Sequence, residues 1–510
     1  MRKILILTAV ALLLSGWSAT AAIPQTGEAQ QTIERICTEN AFRRAVVGVL
    51  AVTADGDTLA CYNHEVKMVP ASNVKLVTTG LALRRLGEDF RFETKIAHSG
   101  EITDGVLKGD LYIIGGGDPT TGSKSDIVRP VEQLFAEWAG MLKSAGINKI
   151  EGRIVADPRF FDNPVSENMG WTYDDLGTYY GIGPGGLNFF ENQKNYYITP
   201  APAVGGTPSI EPRYPETPWM KYLNSATTGE ARSANTVYCI NSTLAPYAQF
   251  AGEFPVDRKA YTLESSNRFG AYTCAYYFLN YLRNNGVAVS EEACADVSEL
   301  GFVRLVPGIE STGQKSASQE ELKVLGSTFS PRLLEIVRET NCHSNNFYAE
   351  TLLKILAKVE TGSVKADSNL EVAELLLASY KVPVSGRCQV FDGSGLSRKN
   401  YISASYFVDF LRMMWNSDVK DAYLYSLPMP GGEGTLEYKF MNAPQEFRSR
   451  IRMKSGSMNG VRCYSGYILS SDGNPDKTII FSLMTNNVTE SSWFVNPSID
   501  RIIEAIAAEN

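Results

Sequence analysis

Met68-Val69-Pro70-Ala71-Ser72-Asn73-Val74-Lys75-Leu76-Val77-Thr78-Thr79 is the stretch on which the reading of this chain turns. From Asn73 to Leu86 the apolar residues Val74, Leu76, Val77, Leu81, Leu83 and Leu86 recur at helical spacing, and Gly87 stops them. Ser72 therefore stands at the start of a helix, and Lys75, three residues on, shares its face. Upstream, Val46 to Ala51 is a β-branched run, Ala54-Asp55-Gly56-Asp57 is a turn signal, and Thr58 to Tyr62 returns as a second strand. A serine hydroxyl is a weak nucleophile until a base takes its proton. A lysine is such a base when burial and a nearby positive charge lower its pKa. The helix N-terminus favours the developing anion. Alone, Ser-x-x-Lys reads more readily as a helix cap with a solvated lysine.

Two later segments change its weight. Ser344-Asn345-Asn346 falls inside a helical pattern from Pro331 to Ala357, or at a break in it. Ser344 offers a hydroxyl that can relay a proton, and Asn346 an amide that can hold a substrate carbonyl. Ser166-Glu167-Asn168, Ser233-Ala234-Asn235, Ser265-Ser266-Asn267 and Ser457-Met458-Asn459 fit the same short pattern, but none has the helical setting. Lys454-Ser455-Gly456-Ser457 lies on an expected edge strand. There Lys454 supplies the positive charge, Gly456 lets a substrate backbone approach closely, and the Ser457 N–H joins the Ser72 N–H in an oxyanion hole. Ser-x-x-Lys, Ser-x-Asn and Lys-[Ser/Thr]-Gly in that order form a three-part signature of serine acyl-transfer chemistry. The histidines are His64, His98 and His343, and no Gly-x-Ser-x-Gly is present, which disfavours a Ser-His-Asp triad.

The 510 residues predict about two to four domains, and a composition 44% hydrophobic and 20% charged is that of a globular protein. Arg2 and Lys3, the apolar run Ile4 to Leu14 and Ala19-Thr20-Ala21 read as a signal peptide over residues 1–21, hence a periplasmic protein. A membrane anchor is the alternative. The formal charge of −8 argues against nucleic acid or an anionic membrane as main partner. Ile499, Ile502, Ile503 and Ile506 in the tail read as a packed terminal helix, leaving at most peripheral membrane contact. Eight cysteines include no Cys-x-x-Cys, so no metal is expected, and no cofactor. Their pairing stays open: Cys274 with Cys294 would be local, and free buried thiols fit as well.

From about Phe90 the texture changes. Arg91 to His98, Gly105 to Ile114 and Lys149 to Ala156 look β-like, Pro200 to Pro218 reads as loop, and Tyr272 to Asn285 as helix. Ile451 to Lys454, Tyr464 to Leu469 and Thr478 to Thr485 read as three late strands, with a last helix from about Ile499. The division that follows is a discontinuous catalytic domain, 22–89 with 320–510, holding an insert of two small domains over 90–319.

Together the motifs resemble those of penicillin-binding proteins of the type-4 D-alanyl-D-alanine carboxypeptidase/endopeptidase family. The likeness extends to Gly109-Asp110-Leu111-Tyr112, Gly117-Asp118-Pro119-Thr120, Phe391-Asp392-Gly393-Ser394-Gly395-Leu396-Ser397-Arg398 and Gly434-Thr435-Leu436. It implies an α/β (α+β) fold: a β-lactamase/transpeptidase-like catalytic domain, an antiparallel sheet flanked by helices, with inserted β-rich domains. It implies Ser72 as the acylated nucleophile and Lys75 as its base. Ser344, Asn346 and Lys454 would assist proton transfer and substrate binding, and Ser455 and Ser457 would meet the terminal carboxylate and the oxyanion. Gly170-Trp171-Thr172-Tyr173-Asp174-Asp175 resembles the segment that binds the amine of a diamino acid, with Asp175 the candidate. Asn345 stands where Asp is commoner and Ser455 where Thr is, and both keep hydrogen-bonding capacity. The implied function is a serine D,D-peptidase acting on peptidoglycan stem peptides, at D-Ala-D-Ala ends or cross-links, with β-lactam antibiotics as inhibitors. A β-lactamase and a catalytically silent wall-binding protein are the alternatives. A Glu-x-x-x-Asn match at Glu191 to Asn195 falls within the insert and is discounted for that reason.

Overall fold

The structure, a computed structural model, describes residues 27–161, 167–242, 245–295, 321–362, 376–382 and 386–509. The expected signal peptide lies outside them. The two ends of the described chain share a five-stranded antiparallel sheet in the order Thr58–Tyr62, Val46–Thr53, Ile479–Asn486, Val461–Ile468, Ile451–Met458. All eight residues of the central strand Ile479–Asn486 are buried, because both faces of the sheet are covered. Ile479, Phe481 and Leu483 point to one side, against Ile33 and Ile36 of helix Glu28–Cys37 and Ile499, Ile502 and Ile506 of helix Ser492–Ala508. Ile480 and Met484 point to the other, against the core holding Val77, Leu81, Phe407 and Phe410. The period-two alternation of a strand is what divides these apolar residues between two layers.

The first ten residues of helix Val74–Leu86, Val74 to Leu83, are all buried in the second layer, and its last turn reaches the surface at Arg85. That buried part has no solvent face, so even its lysine goes inside. Gly87, at φ 83°, ends it in a conformation that costs glycine nothing. The terminal helix starts at Ser492, seven residues before the expected Ile499. Pro497 sits inside it, on its exposed side.

Between the two catalytic segments the chain builds a second sheet in the order Ala293–Ala295, Ile154–Asp157, Leu111–Ile114, Glu93–His98, Lys323–Phe329. Helices Val131–Ser144 and Gly270–Asn284 share a core with it through Trp138, Leu142, Phe278 and Leu279. Strand Lys323–Phe329 pairs antiparallel with Glu93–His98, so this sheet reaches past residue 319, where the insert was expected to end. A smaller β region packs around Tyr196, Cys239 and Phe250. Within Pro200–Pro218, expected as loop, Ser209–Pro212 is an edge strand on Gln193–Thr199. Pro212 is its last residue, a place where a missing N–H is tolerated. Seven cysteines are free, Cys274 among them, and the Cys294 side chain lies outside the described residues.

Candidate active site

Ser72 sits in a single 3-10 turn, Ala71–Asn73, that feeds helix Val74–Leu86. Ala71 takes φ 47°, a left-handed conformation that an alanine holds only when its surroundings impose it. Two glycines pack closely against this turn. A Cβ on Gly395 would meet the Ala71 carbonyl oxygen at 1.9 Å, and one on Gly456 would meet the Pro70 carbonyl oxygen at 2.7 Å and Asn73 Oδ1 at 2.9 Å. Gly456 was expected to admit a substrate backbone. It also admits the turn that carries Ser72, because its Cα faces inward on the side of Lys454.

Lys75 is fully buried. Its Nζ lies 3.0 Å from Ser72 Oγ, 2.7 Å from Asn346 Oδ1 and 2.6 Å from the Ser394 carbonyl oxygen. Burial lowers its pKa from 10.5 to about 7, against the pull of the Asp392 and Glu350 carboxylates. Desolvation wins, and a neutral amine is available near neutral pH.

Ser344 occupies the break between helices Leu333–Cys342 and Asn346–Thr361, at φ 57°. Its Oγ accepts from Lys454 Nζ at 3.1 Å, and Nζ also donates to the Ser455 carbonyl oxygen at 2.7 Å. Lys454 is fully buried, which holds its pKa well below the usual lysine range, and the neighbouring Lys75 charge acts in the same direction. Asn346 is the first residue of its helix. Its Oδ1 faces Lys75 while its Nδ2 donates to the Tyr180 carbonyl oxygen at 3.0 Å, so both ends of the amide are oriented.

Ile451–Met458 is an edge strand, as expected. Met453 N–H donates outside the sheet, to the Pro428 carbonyl oxygen. The alternation of an antiparallel strand therefore turns the Ser455 and Ser457 N–H groups to the same open edge. Ser457 is exposed and lines the cavity above Ser72, and Ser455 Oγ donates to Thr435 Oγ1 at 3.1 Å.

That cavity has a volume of about 850 Å³ and brings together Ser72, Ser344, Asn346 and Ser457 with Lys124, Asp126, Asp174, Asp175 and Tyr180 of the insert. Asp175 Oδ2 accepts from Thr172 N–H at 3.1 Å and Thr172 Oγ1 at 2.5 Å. A hydrogen bond from Thr172 and the charge of Arg398 hold the Asp174 carboxyl below its usual range. His343 rims the same cavity, with Nδ1 3.0 Å from Glu339 and Nε2 3.4 Å from Glu433.

Several residues of the site escape sequence reasoning. Asp392 is buried and accepts from Gly395 N–H, Ser397 N–H, Asn400 Nδ2 and, across from the insert, Trp171 Nε1 at 2.9 Å. It shapes the loop whose Ser394 carbonyl holds Lys75. Burial and the Asp392 charge push the nearby Glu350 carboxyl up. Arg398 lines the cavity too. Asp392-Gly393-Ser394-Gly395 stands out in the sequence only as part of a segment that carries the family likeness, and nothing local tells that a buried lysine ends there. Glu191 corrects an expectation: its place in the insert is no reason to discount it, because the insert folds back and Glu191 lines this same cavity.

The sequence profile of the D-Ala-D-Ala carboxypeptidase 3 (S13) family matches residues 29–509. The chain is 28% identical over 471 residues to the D-alanyl-D-alanine carboxypeptidase of Actinomadura sp. (strain R39), covering 90% of this chain and 81% of that protein. It is 24% identical over 421 residues to the D-alanyl-D-alanine carboxypeptidase DacB of Haemophilus influenzae, covering 81% and 80%. The crystal structure of penicillin binding protein 4 (dacB) from Haemophilus influenzae superposes with a TM-score of 0.74 at 20% identity, over 90% of this chain and 94% of that one. The fold is thus the mixed α/β, transpeptidase-like one that the motifs implied. With a cavity-lining serine beside a buried lysine at the head of a helix, a second serine and lysine facing it, and a profile match over nearly the whole length, the chain belongs to the D-Ala-D-Ala carboxypeptidase 3 (S13) family.

Proposed function

We propose that the chain is an exported serine D,D-peptidase that works through an acyl-enzyme on Ser72. The observation that carries this reading is the Lys75 amine, fully buried and 3.0 Å from Ser72 Oγ. Ser72 Oγ attacks the carbonyl carbon of the penultimate D-Ala of a peptidoglycan stem peptide, and its proton passes to Lys75 Nζ. The carbonyl oxygen takes up the negative charge between the Ser72 and Ser457 N–H groups. As the C–N bond breaks, the departing amine receives a proton through Ser344, which Lys454 holds in place. Water then attacks the ester and regenerates Ser72. Asn346 holds the substrate carbonyl, and Ser455 with Ser457 meets the terminal carboxylate. β-Lactam antibiotics acylate the same serine. Residues 1–21 direct the chain to the periplasm, and no helix among the described residues is long and apolar enough to cross a membrane.

The cavity is acidic. Asp126, Asp174, Asp175, Glu191, Glu339 and Glu433 line it, against Lys124 and Arg398 at its rim. Such a field draws a cationic group, which supports Asp175 as the contact for the free amine of a stem-peptide diamino acid. The test is D-Ala release from a pentapeptide bearing that amine, compared with its N-acetylated form. Wild type is expected to favour the free amine, and Asp175→Asn to lose that preference through KM. An enzyme that releases no D-Ala and opens no cross-link would sink the reading.

A further inference from the structure

Glu191 is the point where the insert reaches the catalytic motifs. Its side chain is 4% exposed and both carboxylate oxygens are engaged. One accepts from Ser123 Oγ at 2.5 Å, and Ser123 Oγ accepts from the Tyr348 hydroxyl at 3.0 Å. The other accepts from Asn345 Nδ2 at 2.9 Å and from Gln193 Nε2 at 3.4 Å. Asn345 is the N-cap of helix Asn346–Thr361, its Oδ1 accepting the Tyr348 N–H at 3.0 Å. Next to it is Ser344, at φ 57°. On the other side of the bond Phe190, Glu191 and Asn192 have φ of 52°, 53° and 51°. Left-handed conformations at residues with a Cβ persist only where their surroundings hold them. Two strained turns, one from the insert and one from the catalytic part, therefore meet through one carboxylate–amide hydrogen bond.

We propose that Glu191 is a positioning residue for Ser344: through Asn345 it fixes the turn that sets the Ser344 hydroxyl on Lys454. The proposal rests on the reading of Ser72 as the acylated serine and Ser344 as its proton relay. Burial raises the Glu191 carboxyl above its ordinary range, the Ser123 and Asn345 hydrogen bonds and the Lys124 charge oppose this, and Glu339 adds to it. The Tyr348 hydroxyl and His343, paired to Glu339, complete the titratable groups around it.

The polarity of the bond supplies the test. Asn345→Asp keeps the helix cap, because a carboxylate oxygen still accepts the Tyr348 N–H. It also sets a second carboxylate against Glu191, and the two must share a proton or repel. Adding Glu191→Gln puts a donor opposite an acceptor again. The experiment is the acylation rate with a fluorescent penicillin for wild type, both single variants and the double variant, from pH about 5 to about 9. Each rate is divided by that of wild type at the same pH, so that the titration of Lys75 cancels.

Glu191→Gln is expected to be about two- to fivefold slower, with no new pH dependence, since a neutral acceptor is weaker than a charged one. Asn345→Asp is expected to be about ten- to hundredfold slower at the alkaline end and to recover as the pH falls. The double variant should follow Glu191→Gln at every pH. A pH-independent deficit that glutamine does not rescue overturns the proposal, as does Asn345→Asp acylating like wild type throughout. Should Asn345→Asp alone fail to fold, the double variant decides: folded and active supports the proposal, folded and slow overturns it, and a double variant that also fails to fold overturns it as well. A wild-type protein that resists acylation brings down the Ser72 reading instead.

Discussion

Lys75 Nζ lies 3.0 Å from Ser72 Oγ in a place where water does not reach the amine. The lysine is there because the first ten residues of its helix are buried on every side, and that burial brings its pKa down to about 7. Position and basicity thus come from the same packing.

The pH dependence follows with a definite sign. A base with a lowered pKa is neutral above it and protonated below it, so acylation by a penicillin should rise with pH through about 7 and then level off. Lys75→Arg should remain protonated across that range and lose roughly 10²–10⁴ in rate. Rates of acylation as a function of pH check both, and a flat profile for wild type would contradict the assignment of the base.

Ser344 Oγ and Lys454 Nζ are 3.1 Å apart, and Lys454 has the Ser455 carbonyl as its other partner. Ser344→Ala should slow acylation about ten- to hundredfold, by the loss of one hydrogen bond to a buried amine and of the proton relay. The melting temperature should fall modestly, since the fully buried Lys454 amine loses one of its two partners. Equal acylation rates in variant and wild type would remove Ser344 from the mechanism.

Gly456→Ala is expected to fail for a reason unrelated to substrate. Its Cβ would come to 2.7 Å from the Pro70 carbonyl oxygen, and neither the edge strand nor the nucleophile turn can yield freely. A stability loss of about 1–3 kcal/mol is expected, the usual cost of overpacking, with acylation nearly abolished. Thermal melting and labelling together check this. A variant of wild-type stability and labelling would show that the turn is loose.

Trp171→Phe removes the donor that the insert gives to Asp392, at 2.9 Å, and leaves the loop its own four, Gly395 N–H, Ser397 N–H, Asn400 Nδ2 and Ser394 Oγ. The expected cost is about 1–3 kcal/mol in stability, with slower acylation because the Ser394 carbonyl shifts under Lys75. Unchanged acylation with lowered stability would mean that the insert braces the fold without tuning the site.

Much of this was legible in the sequence, and the limits have physical causes. The helix after Ser72, its stop at Gly87 and the three late strands follow from local periodicity and turn chemistry, which short segments carry in full. Ser344 was expected inside a helix or at a break in it, and the break itself shows only in a backbone angle. Asp392, Glu350 and Glu191 escaped because their roles depend on which distant group packs against them. Glu191 lies 154 residues from Asn345 along the chain, and no periodicity records such a meeting. That Gly456 also packs against the Ser72 turn was not legible, since a strand pattern tells which residues alternate and not what sits across from them.

The most direct measurement is labelling with a fluorescent penicillin followed by mass analysis of the peptides. The expected result is one adduct on the peptide carrying Ser72 in wild type and none in Ser72→Ala. An unlabelled wild type, or a label that persists in Ser72→Ala, would contradict the assignment on which the mechanism stands.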